Sequence, residues 1–293
     1  MGINVLSLFD GISCGQVALQ RAGIDIDRYY ASEIDKHAIK ITQKNYPNTT
    51  HIGDVRSCVG NDFHNIDLLM GGSPCQGFSI SGNQLNFNDK RSALFFEFVR
   101  LHRQVNAQYF LFENVGSMQN TIRDAISLEL KTSPVSINSS LLSAQHRNRL
   151  YWTNIPNVIV PRDKGILFPD ILEDAVDKKH YYSDKVLSRL DLVNIKRAGK
   201  AGYKYSGVEC DKCPPIVARH YKGMQSQYYP VIRESDGYRK LTPIECERLQ
   251  TLPDNYTEGI SDTQRYKCIG NAWTVDVISH IMDGLRQELL YRR

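Results

Sequence analysis

Residues 71–79 read Gly-Gly-Ser-Pro-Cys-Gln-Gly-Phe-Ser, and they directly follow the apolar run Ile-Asp-Leu-Leu-Met at residues 66–70. A short apolar run bounded by turn residues predicts a buried β-strand, and Gly, Ser and Pro predict a loop behind it. Cys75 is then expected at the carboxyl edge of a sheet, where open α/β folds bind their ligands. A thiol in an accessible loop is a candidate nucleophile, although free cysteines are more often small buried residues.

Strand and helix patterns alternate along most of the chain. Apolar runs predict strands at residues 3–9, 29–32, 109–112, 135–138 and 150–155, and apolar stripes predict helices at residues 37–45, 91–105 and 118–131. This order predicts an α/β fold with a doubly wound, mostly parallel sheet. The alternation stops between residues 156 and 238. We therefore predict one domain from residues 1–155 plus 239–293 and a small β-rich domain from residues 156–238.

Composition limits the class of protein. The chain has 293 residues, of which 41% are hydrophobic and 23% are charged, as in an ordinary globular protein. It has no apolar run of about 18 residues and no basic-then-apolar leader, so we expect no membrane partner and a cytoplasmic location. The seven cysteines are odd in number and scattered, which indicates thiols rather than disulfides. Cys210 and Cys213 lack a second pair at zinc-like spacing, so we expect no metal.

The net charge of +4 is too small to indicate a nucleic-acid partner. Only the distribution of charged residues along the chain can indicate such a partner. Residues 196–240 contain ten basic and four acidic side chains, interleaved with six tyrosines. This pattern suits contacts to phosphates and bases, and it also suits a solvated surface. Arg219, Tyr221 and Lys222 are the candidate nucleic-acid contacts in this segment.

A glycine turn follows the first predicted strand. Gly11 and Gly15 allow a ligand to approach the backbone closely, and the start of the next helix favours negative charge. Glu33 follows the second strand at a suitable distance to accept hydrogen bonds from ribose hydroxyls, or else it caps the next helix. Asp54 lies at the following turn. The turn alone is typical of many nucleotide-binding domains, so it does not identify the ligand.

Charged residues also follow the later strands. Glu113 comes directly after the apolar run at residues 109–112, on the predicted edge of Cys75. A carboxyl group there either binds a neighbouring backbone group or serves a substrate. Arg147 and Arg149 precede or begin the next strand, and alternation predicts that they share one face. Two adjacent guanidinium groups suit an anion, a carbonyl oxygen or the Glu113 carboxylate, or they form an ordinary salt-bridged edge.

Taken in their order along the chain, these motifs resemble those of the DNA cytosine-5 methyltransferases. The resemblance is carried by residues 71–79, Phe9-Asp10-Gly11 with Gly15, Glu113-Asn114-Val115, Gln145-x-Arg147-x-Arg149, residues 239–250 and residues 269–275. Residues 32–33, 94–98 and 273–275 also resemble the animal de novo cytosine methyltransferases. The family resemblance implies a Rossmann-like class I methyltransferase fold, in which residues 156–238 are the target-recognition domain.

The resemblance also implies a role for each matching residue. The implied cofactor is S-adenosylmethionine, with S-adenosylhomocysteine as product and no metal. The catalytic residues are Cys75, Glu113, Arg147 and Arg149. The cofactor-binding residues are Phe9, Asp10, Gly11, Gly15, Glu33, Ile34, Asp54, Val55, Pro74, Leu94, Asn271 and Trp273. The residues that bind substrate are Ser73, Gln76, Ser79 and Ser81, together with Arg219, Tyr221 and Lys222.

The implied reaction is methyl transfer to carbon 5 of a flipped-out cytosine through a covalent cysteine adduct. The implied partner is double-stranded DNA, with a cognate restriction endonuclease encoded nearby as a second partner, and we expect a monomer in a bacterial or phage-infected cell. One alternative is an RNA cytosine methyltransferase, in which the loop usually differs after Pro-Cys-Gln, so residues 76–79 favour DNA. A DNA-binding protein without catalysis is the other alternative, and an NAD enzyme leaves the cysteine loop unexplained.

Overall fold

The structure is a computed structural model that describes residues 2–73, 93–187, 210–225, 231–235 and 237–291. The described part divides into two compact units. The first contains Met1–Ser139, Asn148–Arg162 and Trp273–Arg293, and the second contains Ser140–Arg147 and Asp163–Ala272. Within the described ranges, no helix is long and apolar enough to cross a membrane.

The first unit is built on a sheet that has seven strands within the described residues. Its strands are β1 (Ile3–Leu8), β2 (Ile26–Ser32), β3 (Thr50–His51), β4 (Leu68–Gly71), β5 (Tyr109–Val115), β6 (Val135–Asn138) and β7 (Asn148–Thr153), in the order β3-β2-β1-β4-β5-β7-β6. All neighbours are parallel except β7, which is antiparallel to β5 and to β6. The predicted α/β class with a mostly parallel sheet is confirmed.

Helices connect and cover these strands. They are α1 (Cys14–Arg21), α2 (Lys36–Asn45), α3 (Ala93–Val105) and α4 (Asn120–Leu130), and a C-terminal helix, Val275–Tyr291, packs against α1. Strand β4 and the first four residues of β5 are apolar and buried on both faces, as expected for parallel strands that lie between helices. Phe98 and Phe112 join α3 to β5 with ring centroids 4.8 Å apart. Aromatic packing of this kind fixes the strand that carries Glu113.

Strand register determines which residues leave the sheet together. Leu8 of β1 pairs with Ser32 of β2 and with Gly71 of β4, and Gly71 pairs with Phe112 of β5. The next residues along these four parallel strands are therefore Phe9, Glu33, Gly72 and Glu113. They lie at one carboxyl edge of the sheet, as the apolar runs in the sequence predicted.

The second unit has its own core. It contains a hairpin of β8 (Val231–Glu234) and β9 (Gly237–Lys240), helix α5 (Pro243–Leu249) and helix α6 (Asp262–Asn271). Ile232, Cys246 and Tyr266 are among the buried residues that join these elements into one cluster. Because α5 and α6 pack into this cluster, residues 239–272 belong to the second compact unit. The division into a domain of residues 1–155 plus 239–293 and a domain of residues 156–238 stays a prediction.

The start of α5 is closed by a capping box. Thr242 Oγ1 accepts a hydrogen bond from the Glu245 amide at 3.1 Å, and Glu245 Oε2 accepts one from the Thr242 amide at 2.8 Å. This capping box also holds a buried cation, because Arg239 donates to both carboxylate oxygens of Glu245 at 2.8 Å. Thr242, Pro243 and Glu245 thus form the sequence pattern that is typical of a capped helix start.

Part of the segment that was predicted to be β-rich is helical. The chain forms a 3-10 helix at Ala218–Gln225. A Cβ atom on Gly270 would lie only 2.3 Å from the Ala218 amide nitrogen, so α6 packs directly against the start of this helix. This backbone contact is invisible to a pattern of apolar residues, because it depends on a glycine more than 50 residues further along the chain.

Candidate active site

The loop after β1 has an unusual backbone. Phe9, Gly11 and Ser13 adopt φ angles of 58°, 61° and 57°, in the left-handed region that L-residues rarely occupy. Hydrogen bonds offset this strain: Asp10 accepts one from the Ser13 hydroxyl, and it accepts another from the Tyr29 hydroxyl at 2.6 Å. Strained backbone maintained by surrounding contacts is common at ligand sites. Tyr29 was not among the predicted site residues. It lies on β2, and its hydroxyl contacts this loop only because β2 pairs with β1 in the folded sheet.

Glu33 closes the same loop from β2. Its Oε2 accepts the Gly11 amide at 2.8 Å, and its Oε1 accepts the amides of Ile34 and Asp35 at 2.7 and 2.8 Å. Asp35, and not Glu33, caps helix α2 by accepting the His37 amide. A carboxylate has about four acceptor positions, so Glu33 can hold the loop and still accept a ligand hydroxyl.

The other candidate cofactor residues differ in exposure. Asp54 is fixed by Arg56, whose side-chain and backbone hydrogen bonds lower the pKa of Asp54 to about 2. The Val55 side chain is buried in the core, so only its backbone can reach a ligand. Leu94 packs against the same core, whereas Ile34 is 71% exposed. Of these residues, Ile34 and Asp54 therefore offer side chains to a ligand.

Gly15 has a packing role that differs from the predicted one. It lies inside α1, and a Cβ atom there would be 2.6 Å from Met70 Sδ and 2.8 Å from the Tyr29 hydroxyl. Glycine is therefore required for close contact between α1 and the sheet. Gly11 has no atom within 4 Å of an added Cβ. Of these two glycines, Gly11 is therefore the one with free space for a ligand beside its backbone. Gly15 allows α1 to pack close to the strands.

Asp10 is predicted to make stability depend on pH. Burial is the largest influence, and it raises the pKa of Asp10 from 3.8 to about 6, although the hydrogen bonds from Ser13 and Tyr29 act in the opposite direction. The folded state thus binds this proton more tightly than the unfolded chain does. The resulting stability is fully present below about pH 4 and is lost as pH rises through about 6, a loss of at most about 3 kcal/mol.

We therefore expect Asp10→Asn to gain stability relative to the wild type as the pH rises from 4.5 to 7.5. Thermal unfolding of both proteins across this range measures the effect. Asp124→Asn is the control, because the Asp124 side chain is 67% exposed on α4. Parallel melting-temperature curves for wild type and Asp10→Asn would contradict the assignment.

Glu113 is held by two donors at the carboxyl edge of β5. Arg149 Nε lies 2.9 Å from Oε1, and the Trp273 indole Nε1 lies 3.0 Å from Oε2. The side chains of Glu113 and Arg149 are only 12% and 17% exposed. A charge-assisted contact of this kind is stronger than a hydrogen bond between neutral groups. The expectation that Arg149 contacts Glu113 agrees with this geometry, whereas Trp273 was expected at the cofactor.

The backbone beside Glu113 is equally constrained. A Cβ atom on Gly72 would lie 2.8 Å from Glu113 Oε2, so this glycine makes room for the carboxylate. Ser73 is buried, and its carbonyl and hydroxyl oxygens accept hydrogen bonds from the Asn114 side-chain Nδ2 at 3.3 and 3.4 Å. Asn114 thereby ties the chain leaving β4 to β5. The chain passes directly from this anchored serine into the predicted nucleophile loop.

That loop lies outside the described residues. Cys75, Pro74, Gln76, Ser79 and Ser81 all fall within residues 74–92, so their roles stay predictions. Across the described part of the chain, no group of three or more His, Cys, Asp or Glu side chains is arranged to hold a metal ion.

Arg147 has different partners from Arg149. It precedes β7, so alternation along the strand does not decide where its side chain lies. Its guanidinium is buried in the second unit and donates to the carbonyl oxygens of Ile216, Gly270 and Ala272 at 2.7, 3.3 and 2.9 Å. Two of these carbonyls flank Asn271, the exposed last residue of α6. The observed contacts of Arg147 fix backbone, which differs from the predicted contact with a substrate oxygen.

The candidate DNA-contact residues lie on the 3-10 helix at Ala218–Gln225. Arg219, Tyr221 and Lys222 are exposed, and Lys222 Nζ is 5.8 Å from the centre of the Tyr221 ring. His220 between them is buried, and burial lowers its pKa to about 4. Its Nδ1 accepts the Val217 amide at 3.1 Å. The buried histidine anchors the segment that exposes two cations and an aromatic ring.

Comparison with known families and proteins gives consistent results. The family model described as C-5 cytosine-specific DNA methylase matches residues 3–287. The type II methyltransferase M.NlaX of Neisseria lactamica is 32% identical over 98% of this chain and 97% of its own length. The type II methyltransferase M.HhaI of Haemophilus parahaemolyticus is 27% identical over 99% of this chain and 96% of its own length.

Two solved structures are similar to this chain over nearly its whole length. The Entamoeba histolytica methyltransferase EhMeth has a TM-score of 0.79 at 18% identity and covers 99% of both chains. A Spodoptera frugiperda DNMT2 mutant has a TM-score of 0.76 at 20% identity and covers 97% of this chain and 100% of its own. At these identities the likeness establishes the class I methyltransferase fold.

Proposed function

The chain belongs to the family of C-5 cytosine-specific DNA methylases, and from this premise we propose that it methylates carbon 5 of a cytosine flipped out of duplex DNA, through a transient bond to Cys75. The observation that best supports this proposal is the Glu113 carboxylate, held by Arg149 and Trp273 at the carboxyl edge of the sheet. Gly72 and Ser73, the last described residues before the Cys75 loop, border this carboxylate and its neighbour Asn114.

The family implies S-adenosylmethionine as the cofactor, and the residues after β1, β2 and β3 fit such a group. Gly11 and Gly53 have φ angles of 61° and 73° and no atom within 4 Å of an added Cβ, so a ligand can approach the backbone there. Glu33 suits the ribose hydroxyls, Ile34 suits a face of the adenine ring, and Asp54 suits its amine. When bound, S-adenosylmethionine supplies a methyl group on a positively charged sulfur and leaves as S-adenosylhomocysteine.

The residues of this chain make carbon 5 reactive. Carbon 5 of cytosine is a poor nucleophile until a group adds across the 5,6 double bond. In the proposal, the Cys75 thiolate adds to carbon 6, which places negative charge on the ring. After methylation, the proton on carbon 5 is removed, the bond between Cys75 and carbon 6 breaks, and the double bond is restored.

Glu113 is proposed to stabilise the charge that develops on the ring. Its carboxyl group is proposed to donate a proton to ring nitrogen 3 and to accept a hydrogen bond from the exocyclic amine. A fixed group is most effective there, because it need not reorganise during the reaction. Arg149 holds that carboxylate at 2.9 Å. Arg147 is assigned a positioning role, since its guanidinium already donates to the carbonyls on both sides of Asn271.

Carbon 6 cannot be reached inside a duplex, so the proposal requires base flipping. Extruding a stacked base costs a few kcal/mol, which contacts in the pocket must offset. Arg219, Tyr221 and Lys222 are proposed to contact DNA, because they expose two cations beside an aromatic ring on one short helix. Gln76, Ser79 and Ser81 are proposed to contact the substrate from the Cys75 loop.

The substrate class can be tested directly. Parallel assays with tritiated S-adenosylmethionine on duplex DNA and on RNA are expected to label DNA and leave RNA unlabelled. The reason is that residues 76–79 match the DNA branch of the family. Labelling of RNA alone would favour an RNA cytosine methyltransferase, and labelling of neither would favour a DNA-binding protein without catalysis.

Several relatives are named type II methyltransferases, so we also propose a partnership with a restriction endonuclease of the same sequence specificity. Bisulfite sequencing of DNA from a host that expresses the chain identifies the methylated sequence. The proposal expects one short sequence to be methylated throughout that DNA and thereby protected from an endonuclease that cleaves it. Methylation scattered without a shared sequence would contradict this partnership.

A further inference from the structure

The second donor to Glu113 comes from a distant part of the chain. Trp273 Nε1 donates to Glu113 Oε2 at 3.0 Å, while Arg149 Nε lies 2.9 Å from Oε1. Each carboxylate oxygen therefore has its own donor, one neutral and one charged. Arg149 alone would leave the carboxylate free to rotate about its terminal bond, since a single contact fixes only one oxygen.

Trp273 is itself anchored through the residue that follows it. The next residue, Thr274, is buried, and its hydroxyl lies 2.8 Å from the hydroxyl of Ser139. The Thr274 carbonyl accepts the Val277 amide at 3.1 Å and so begins the C-terminal helix. The backbone that carries the indole is therefore fixed to the sheet and to the helix before the side chain makes any contact.

Gly72 provides the space for this hydrogen bond. An added Cβ on Gly72 would lie 2.8 Å from Glu113 Oε2 and 3.1 Å from Trp273 Nε1. The donor and the acceptor thus meet directly above the bare Cα of Gly72. The same glycine begins the segment that leads to Cys75, so the contact lies at the root of the proposed nucleophile loop.

We propose that Trp273 is a positioning residue for the reaction: its indole N–H holds Glu113 Oε2 so that the carboxylate meets the cytosine in one orientation. This inference rests on the proposed function, in which Glu113 contacts the base. It assigns to Trp273 a task separate from covering the cofactor. A tryptophan that only covers a cofactor needs its ring, whereas this task needs its N–H group.

The first test is spectroscopic and does not require activity. The chain has two tryptophans, so a ¹H–¹⁵N spectrum contains two indole N–H signals, and Trp152→Phe identifies the one from Trp273. A hydrogen bond to a carboxylate deshields the indole proton, so the Trp273 signal is expected to move upfield in Glu113→Ala. It is expected to move less in Glu113→Gln, which keeps a neutral acceptor.

Glu129→Ala is the control for that spectrum. Glu129 is a surface glutamate of the same unit, paired with Arg103 at 2.6 Å, and its removal is expected to leave the Trp273 signal in place. A Trp273 signal that stays in place in folded Glu113→Ala and Glu113→Gln would overturn the proposal. If one of the two variants does not fold, the spectrum of the other still tests the proposal.

The second test separates the two tasks of the tryptophan kinetically. Trp273→Phe keeps an aromatic ring and removes the N–H group, so kcat is expected to fall about 10- to 100-fold while KM for S-adenosylmethionine changes little. Trp152→Phe is the matched control: the Trp152 indole donates to Ser127 Oγ at 2.9 Å within the core, and its loss is expected to leave kcat unchanged.

Two kinetic results would overturn the proposal. The first is an unchanged kcat in Trp273→Phe, and the second is a raised KM for S-adenosylmethionine with kcat unchanged, which indicates a cofactor cover. A different result would count against the proposed function itself. In that case Glu113→Gln would retain full activity, because Glu113 would not contact the base. The indole signal would still report in that case whether Trp273 and Glu113 are hydrogen-bonded.

Discussion

Replacing Cys75 by serine is expected to lower methyl transfer to DNA by roughly 10⁴-fold or more. A serine hydroxyl is far less acidic and less nucleophilic than a thiol, so it cannot add to carbon 6 at neutral pH. Binding of S-adenosylmethionine is expected to survive, since the residues proposed to hold its ribose and adenine lie after β2 and β3. Tritium transfer to duplex DNA measures the first effect, and isothermal titration of the cofactor measures the second.

Cys210→Ser is the matched control for that variant. Cys210 is partly exposed in the second unit and has no part in the proposed chemistry, so this change is expected to preserve activity. Full activity in Cys75→Ser would remove the nucleophile from the account. Equal losses in both variants would indicate general damage to the protein by loss of a thiol.

Glu113→Gln is expected to have the second largest effect, a loss of about 10²- to 10³-fold in kcat. Glutamine has the same shape, but it is neutral and has only one acceptor oxygen. Because Arg149 and Trp273 each donate to a different oxygen of Glu113, one of these donors must then face the amide NH₂ group. Single-turnover assays at saturating DNA and cofactor separate this loss from any change in binding.

Glu97→Gln provides the comparison. Glu97 pairs with Arg100 at 2.6 Å on helix α3, so the change also breaks an ion pair between glutamate and arginine in the first unit. Activity is expected to be unchanged, because such partly exposed pairs contribute little. A Glu113→Gln enzyme that matches Glu97→Gln in rate would show that the edge carboxylate is not used in the reaction.

The sheet was predictable from local sequence. Strand β6 was predicted at residues 135–138 and is found at Val135–Asn138, and β1 and β2 differ from the predicted runs only near their ends. Parallel strands that are buried on both faces, such as β4, are continuous apolar runs, so they are recognisable from their own residues alone. β5 is longer than predicted and extends to Val115, because its pairing with β7 continues past the apolar run.

The details of the site were less predictable, because they depend on contacts between distant residues. Trp273 and Glu113 are 160 residues apart in sequence, and nothing near either of them indicates the hydrogen bond. Arg147 and Arg149 look equivalent in sequence, yet one donates to backbone carbonyls and the other to Glu113. Gly15 was assigned to the ligand, although the space that it provides is filled by Met70 and Tyr29.

Covalent trapping tests the central claim most directly. Fluorine at carbon 5 cannot leave as a proton does, so Cys75 cannot be eliminated from a methylated 5-fluorocytosine and the adduct accumulates. With duplex DNA containing 5-fluorocytosine at the methylated position, we predict a complex that survives denaturing electrophoresis, requires S-adenosylmethionine and is absent with Cys75→Ser. A protein that methylates ordinary DNA but forms no such complex, or forms it equally well without Cys75, would contradict the account.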